Sequence, residues 1–301
     1  MGKIDQIMKN PIRYMIYAAG RLMGNSVSAD RLYLKLLYKN KFKTELHLDP
    51  PKTFNEKMQW LKLYDRNPTY TKMVDKYEAK LFIAETIGQE YVIPNLGVWE
   101  RFEDIDFDEL PDQFVLKCTH DSGGLSICTD KKTFDLEKTR KKIKHCMGRN
   151  YYTNTREWPY KNVKPRIIAE QYVVDESGWE LKDYKVFVFN GEPRLVEVDY
   201  NRYVEHKLNV YDLDWNYMDC YFTSHNDPNV RIPKPERFEE MLELSRKLAK
   251  GTTFLRVDFY AFDKELYVGE LTFTPGSGFV EFYPKEMDGI MGEWLELPVQ
   301  K

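Results

Sequence analysis

Residues 255–262 and 266–272 are two apolar stretches parted by Asp263-Lys264-Glu265, with polar residues recurring at every second position. That period predicts two strands joined as a hairpin. Arg256 and Asp258 then share one face of the first strand, and Glu270 and Thr272 share one face of the second. A short turn sets the pairs opposite each other, so an arginine, two carboxylates and a hydroxyl converge on an otherwise apolar sheet. Hard oxygen ligands of this kind suit Mg2+, which keeps several waters and takes substrate phosphates as further ligands. An arginine beside them offsets charge on a transferring phosphoryl group. The outward face of an ordinary solvated hairpin shows the same alternation, so the rest of the chain has to decide between the two. Pro275-Gly276-Ser277-Gly278 follows closely and brings backbone N–H groups to the metal end.

Upstream, roughly the first 90 residues read as helices. Ser28 caps a helix carrying Leu32, Leu34, Leu36 and Leu37, and Thr53 with Glu56 forms a capping box ahead of Met58, Trp60, Leu61 and Leu63. One further helix is expected over residues 68–87, ending near Gly88. Extended segments then follow at 91–98, 113–119 and 126–129, with the polar loop His120-Asp121-Ser122-Gly123-Gly124 between the last two. Two strands joined by such a loop can fold over a phosphate. Residues 135–147 read as a helix with a basic outer side, Lys138, Arg140, Lys141, Lys142 and Lys144. The second half gives a buried strand at 166–173, a hairpin of 183–189 with 194–199 around Asn190-Gly191, and an amphipathic helix at 235–250 ended by Gly251. The fold class is α+β, with a helical front end and antiparallel sheets behind it.

Composition bounds the function. The 301 residues are 42% hydrophobic with a net charge of −3, which fits a globular chain and gives no basic excess for nucleic acid. Cys118, Cys128, Cys146 and Cys220 form no CxxC pair, so they read as small buried thiols of a cytoplasmic protein. The N-terminal stretch lacks a secretory apolar core, no apolar run reaches the length of a membrane span, and Gln6 breaks the lipidation pattern that Gly2 opens. Ile12, Tyr14, Met15, Tyr17, Leu22 and Met23 alternate with Lys9, Arg13 and Arg21. They make an amphipathic helix that packs on the core, on a partner, or on a membrane surface.

Three segments add chemistry to the hairpin. Lys117 ends the run Phe114-Val115-Leu116 just before the glycine-containing loop, where it is either a phosphate clamp or a plain strand-end lysine. Glu170 follows Ile167-Ile168-Ala169, and Gln171-Tyr172-Val173 continues the strand. Such an edge can read adenine through its backbone, with the glutamate accepting the exocyclic amine. Asp183 and Lys185 share one face of the next strand.

The order of these pieces resembles the ATP-grasp superfamily, and their wording is similar to its TupA-like branch. The resemblance runs over roughly residues 50–285, through "VDKYEAK", "FVLKCTHDSGG", "RIIAEQYV", "LKDYKVFVFNGEPR" and "LRVDFYAFDKELYVGELTFTPGSG". It implies an ATP-grasp fold with two antiparallel-sheet subdomains clasping the nucleotide. A helical N-terminal region of residues 1–70 would precede a module of 71–285, divided into a flexible-loop part (about 91–165) and a metal-binding part (about 166–285), with 286–301 as a tail. The cofactors implied are ATP and Mg2+. Lys76 and Lys117 match the phosphate-binding lysines, and His120, Ser122 and Gly123 lie in the loop that closes over the triphosphate. Glu170, Gln171, Tyr172 and Val173 match the adenine hinge. Asp183 sits where an acid holds the ribose, and Lys185 near the phosphates. Arg256 matches the arginine beside the γ-phosphate, and Asp258 and Glu270 match the magnesium carboxylates. Thr272 stands where many members place an asparagine, a departure that weakens the third ligand.

The resemblance implies a carboxylate–amine ligase, in which ATP phosphorylates a carboxylate and an amine displaces the phosphate. The TupA-like branch implies bacterial capsule or other surface-polysaccharide biosynthesis, with a uronic acid acceptor and an amine donor. Trp158, Tyr160 and Arg166, with Tyr151, Tyr152, Arg156 and Lys161 nearby, then become candidates for stacking on a sugar and pairing with its carboxylate. Gly276, Ser277 and Gly278 would hold the developing oxyanion. The alternatives are a glycosyltransferase using Asp104-Ile105-Asp106 or Asp212-Leu213-Asp214, an ATP-dependent sugar phosphotransferase, and a nucleotide-binding assembly protein without catalysis.

Overall fold

The computed structural model describes residues 10–175, 181–202, 204–222, 224–262 and 264–299. Lys9, Asp263 and the Gly2/Gln6 pattern fall outside them.

Helix α1 (Pro11–Leu22) and helix α2 (Val27–Phe42) open the described chain. Ser26, two residues earlier than expected, caps α2 by accepting from the Ala29 N–H. Gly20 lets the two helices meet, since a β-carbon there would lie 2.2 Å from the Tyr33 ring. Ile16 faces this contact, while Ile12, Met15 and Leu22 remain exposed on the far side. Helix α3 (Phe54–Tyr64) starts at the expected Thr53/Glu56 capping box, a device worth about 1 kcal/mol.

The single helix expected over 68–87 is two, α4 (Thr69–Val74) and α5 (Lys76–Ile87). Asp75 breaks them apart because its backbone is extended and its carboxylate accepts from the Tyr77 and Glu78 N–H groups. An acid followed by free N–H groups is an N-cap signal that the continuous apolar pattern masked.

A four-stranded antiparallel sheet has the order β1-β4-β2-β3, from β1 (Asn95–Trp99), β2 (Phe114–Cys118), β3 (Leu125–Cys128) and β4 (Ile167–Gln171). Its alternation is clean. Phe114, Leu116, Cys118, Ile167 and Ala169 pack under helix α6 (Leu136–Met147), and this leaves Lys117 and Glu170 on the opposite face. A short helix α7 (Tyr152–Thr155) lies between α6 and β4.

The second sheet has the order β10-β9-β5-β6-β7-β8, also antiparallel throughout. Its strands are β5 (Asp183–Phe189), β6 (Glu192–Tyr200), β7 (Lys207–Tyr211), β8 (Tyr217–Met218), β9 (Phe254–Phe262) and β10 (Glu265–Thr272). Asn190 and Gly191, both at positive φ, form the expected turn between β5 and β6. One face of this sheet is apolar along its length, with Val186, Val188, Val196, Val198, Val257 and Phe259 packed under helix α8 (Phe238–Leu248) and α5. The other face is divided. At one end Phe187, Phe189 and Phe254 meet Phe54 of α3 and Met291 of helix α9 (Glu286–Trp294), each large side chain contributing about 2–3 kcal/mol on burial. At the other end the same face carries Asp183, Lys185, Arg256 and Asp258 and looks toward the first sheet. Residues 286–301, expected as a tail, therefore include a helix that closes a core; Lys57 of α3 ties it down by donating to the Gly292 and Leu295 carbonyls.

Candidate active site

The acidic pairs meet as the hairpin predicts, with Asp258 opposite Glu270 and Arg256 opposite Thr272. A bulge makes this possible. Leu266 and Val268 face the apolar core, and an unbroken strand would send Glu270 into it as well. The register slips at Gly269, between Val268 and Glu270, and this turns Glu270 to the charged face while Leu271 returns to the core. Gly269 also makes room for the Tyr260 ring, which would lie 2.6 Å from a β-carbon there.

Arg256 grips Asp258 with two hydrogen bonds of 2.6 Å, from Nε to Oδ1 and from Nη2 to Oδ2. Nη2 also donates to Thr272 Oγ1 at 3.2 Å and lies 3.9 Å from Glu270 Oε2. The carboxylates differ in access: the Asp258 side chain is 5% exposed and that of Glu270 39%. Burial pushes the Asp258 carboxyl up, against the guanidinium beside it. Burial also raises Glu270, but Lys76, Arg256, Lys117 and Lys185 together hold it below its ordinary value. The donor set fits Mg2+, being oxygen only, with the more open carboxylate at the cleft. Among the described residues no group of three or more His, Cys, Asp or Glu side chains is arranged to hold a metal ion. Two carboxylates leave the remaining positions to phosphate and water, as Mg2+ prefers.

The first sheet and α5 supply the cations. Lys117 Nζ lies 2.5 Å from Glu170 Oε2, and Lys80 of α5, a residue the sequence reading missed, lies 2.9 Å from Oε1. Burial raises Glu170, yet the two ammonium groups outweigh it and hold the carboxyl at about 2. Glu170 thus anchors two lysines, with both oxygens engaged before any adenine amine approaches. Lys80 also donates to the Ile93 carbonyl at 2.8 Å. Its signal lay in the helical spacing: four residues from Lys76, it falls on the same face of α5. Lys76, first in α5, donates to the Asp121 carbonyl at 2.7 Å and lies 3.8 Å from Glu270 Oε1, so it bridges the loop and the hairpin.

The remaining expected residues divide. Ser122 and Gly123 are exposed at the loop tip, Gly123 at φ +118. His120 is buried instead, its Nε2 3.1 Å from the Cys146 carbonyl under α6, where it holds the loop base rather than reaching phosphate. Gln171, Tyr172 and Val173 continue from the end of β4, with the Gln171 N–H donating to the Pro94 carbonyl. Asp183 is buried; Arg202 donates to its Oδ2 at 2.5 Å, and its buried Oδ1 has no hydrogen-bond partner. Lys185 is paired with Glu197 at 3.0 Å and with Asp199, so its charge is neutralised within the sheet and is not free for phosphate. Arg166 pairs with Asp75 at 2.7 Å and Glu78 at 2.9 Å and covers the Tyr77 ring, which fixes α5 to the sheet and removes it as a substrate arginine. Arg156 is buried against Asp30, Tyr33 and Tyr152. The triplets proposed for a sugar-nucleotide metal are local structure: Asp104 pairs with Arg101, and Asp212 closes its own turn onto the Asp214 and Asn216 N–H groups.

A cavity of about 840 Å3 opens beside the hairpin. Arg256, Glu270, Thr272, Gly276 and Ser277 form its floor, Ser122 touches it from the loop, and Tyr151, Glu157 and Tyr160 form a wall. Trp158 is half-buried and does not line it. Gly276, Ser277 and Gly278 are all left-handed, at φ +53, +57 and +65. Their carbonyls are pinned by α3: Gln59 donates to Gly278 O at 2.6 Å and Lys62 to Ser277 O at 2.5 Å. The Ser277 N–H is already donated to Thr274 O, so any oxyanion contact from this turn falls to its neighbours. From outside, Arg13, Lys41 and Lys43 of the N-terminal helices and the turn after them rim the cavity.

A family model described as TupA-like ATPgrasp matches residues 56–296. Among proteins of curated function none matches. Among solved structures, the chain is similar to a D-alanine–D-alanine ligase from Bacillus anthracis, at 16% identity over 74% of this chain and 60% of that one, TM-score 0.40. It is similar to the ATP-grasp ligase PsnB complexed with a minimal precursor, Mg and ADP, at 12% identity over 80% and 61%, TM-score 0.40. It is also similar to a RimK domain ATP-grasp protein from Sphaerobacter thermophilus, at 12% identity over 77% and 70%, TM-score 0.41. The chain thus spans about three fifths of the length of the two ligases.

Proposed function

Because the chain belongs to the TupA-like ATP-grasp family, we propose that it is an ATP- and Mg2+-dependent ligase that joins a carboxylate to an amine. The observation that carries this reading is the facing set Arg256, Asp258, Glu270 and Thr272 beside a large cavity, with Lys76 of α5 3.8 Å from Glu270 and Lys117 on β2 of the other sheet. Phosphoryl transfer needs positioning and charge neutralisation more than a covalent nucleophile. ATP supplies the phosphoryl group that makes the carboxylate reactive, and Mg2+ neutralises its charge. Asp258, Glu270 and Thr272 would hold the metal, Asp258 being oriented by its two hydrogen bonds from Arg256. Lys76, Lys117 and Arg256 neutralise the phosphates. Asp183 receives a ribose hydroxyl, the loop at Ser122 and Gly123 covers the phosphates, and the segment 170–173 receives the adenine.

The acceptor in this reading is an acidic sugar, a uronic acid of a capsule or other surface polysaccharide. Arg13 and Lys43 at the rim support an anion, Lys41 being paired with Glu281 at 2.8 Å, and Tyr151 and Tyr160, with ring centroids 4.8 Å apart, offer aromatic surface for a sugar ring. Work on such a polymer fits a cytoplasmic protein touching the inner membrane face, and the exposed Ile12, Met15 and Leu22 beside Arg13 and Arg21 support that contact. Among the described residues no helix is long and apolar enough to cross a membrane.

The test is ADP release with a panel of uronic acids and amines. Turnover should need Mg2+ and both substrates, fall by about 10^3-fold in Glu270→Gln, and persist in Asp104→Asn. Loss in Asp104→Asn with retention in Glu270→Gln, or stabilisation by UDP-sugars and not by ATP, overturns the reading.

A further inference from the structure

Glu157 follows α7 and lines the cavity close to the hairpin, yet the chemistry above gives it no task. It is 4% exposed. A carboxylate so buried is normally matched by a cation or by several N–H donors. Here Oε1 is sealed from bulk solvent and has no hydrogen-bond partner.

The nearest cation does not supply one. Lys62 of α3 is buried as well, but its ammonium has three N–H bonds and three close acceptors: Gln59 Oε1 at 3.1 Å, Ser277 O at 2.5 Å and Ser277 Oγ at 3.0 Å. The lysine is therefore committed to the left-handed turn and approaches Glu157 only through space. The Ser277 and Thr155 hydroxyls hydrogen-bond the carboxylate and so lower it, while Glu270 repels it. Burial pushes Glu157 up to about 7, and Lys62 only partly offsets this. The wall beside it is aromatic, Tyr151 and Tyr160, a surface that attracts cations.

We propose that Glu157 is the binding residue for a primary ammonium group, held between its cavity-lining carboxylate, the Thr155 and Ser277 hydroxyls and the Tyr151–Tyr160 wall. An incoming –NH3+ brings the cation that the carboxylate lacks and neutralises the buried charge. The site lies in the same cavity as Arg256 and Glu270. The inference deepens the ligase reading and rests on it for the identity of the ammonium compound as the amine co-substrate, but the ammonium site itself can be tested without turnover.

The probes are ethylammonium and, as its neutral counterpart of similar size, propan-1-ol, with binding to the full chain followed by saturation-transfer NMR. Ethylammonium should bind the wild type, and at least about tenfold more weakly to Glu157→Gln, while propan-1-ol should not distinguish the two. ATP should raise the melting temperature of both proteins equally. Ethylammonium binding that is absent from the wild type, or equal in both proteins, overturns the proposal. So does a melting temperature several degrees lower in Glu157→Gln, because that would mean the carboxylate has an internal partner. Failure of ATP to stabilise either protein strikes the ligase reading alone, and loss of the ammonium difference with ATP binding retained strikes this proposal alone.

Discussion

Glu170 and Glu157 are the same residue type, both about 4% exposed and both close to a lysine, yet their charges are held oppositely. Glu170 is met by two ammonium groups within 2.9 Å, and its carboxyl falls to about 2. Glu157 has a lysine nearby whose N–H bonds all point elsewhere, and its carboxyl rises to about 7. Burial raises both; what separates them is that two ammonium groups contact the oxygens of Glu170, while Glu157 has only hydroxyl donors. Glu170 belongs to the scaffold that aims Lys117 and Lys80. Glu157 is a charge kept in want of a partner, as a ligand site would keep it.

The widest departure from both should come from Glu270, whose carboxylate is neither sealed nor fully paired. Removing its charge in Glu270→Gln should lower the rate of ADP release by about 10^3-fold, roughly 4 kcal/mol of transition-state stabilisation. The urea midpoint should scarcely move, because little buried pairing is lost. A large loss of stability with normal turnover would make Glu270 a scaffold residue like Glu170.

Acid should separate the two glutamates next. The folded-state pKa of Glu170 lies below its ordinary 4.5, so the folded form binds this proton more weakly than the unfolded chain does. Its contribution is complete above about pH 4.5 and is lost as pH falls through about 2, to a total of about 3 kcal/mol. Denaturant unfolding from pH 5 to pH 2 should show that slope in the wild type and lose it in Glu170→Gln. A smaller effect should follow from Lys80→Met, about 2 kcal/mol of destabilisation, since Lys117 remains to hold one oxygen. Unchanged stability would mean that Lys80 contributes nothing to the anchor.

The same contrast marks what the sequence could disclose. Strand alternation placed Arg256, Asp258, Glu270 and Thr272 together because a hairpin leaves little choice of facing residues, and Gly269 was the one visible trace of the bulge that turns Glu270 outward. The Thr53–Glu56 capping box and the Asn190-Gly191 turn are local, so both could be read directly. Misplacements arose where long-range pairing decides. The expected hairpin brings Lys185 close to Glu197 and Asp199, but the register slip between Phe187 and Val188 that sets Glu197 opposite it has no mark in the sequence, and nothing near Arg166 announces Asp75 and Glu78 on α5. Lys62 and Glu157 are 95 positions apart by their numbers, and only the packing of the 276–278 turn on α3 brings them near each other. Helix α9 was hidden because Gly289 and Gly292 dilute its apolar pattern.

The finest distinction lies in the pH dependence of Glu157→Gln. Here the folded carboxyl is raised from 4.5 to about 7, so its contribution to stability is full below pH 4.5 and is lost as pH rises through about 7. Lys62 is lowered from 10.5 to about 7, chiefly by burial, so what it contributes is present above pH 10.5 and is lost as pH falls through about 7. The two oppose each other near neutrality, and replacing Glu157 also removes the one group that favours a charged Lys62. The net gain from Glu157→Gln should therefore be small, about 1 kcal/mol near pH 8, and should vanish by pH 4.5, where the wild-type carboxyl is already neutral. Thermal unfolding of both proteins across that range measures it. A gain that persists at pH 4.5 would trace to better packing of the amide, and a loss at pH 8 would show that Glu157 is paired as Glu170 is.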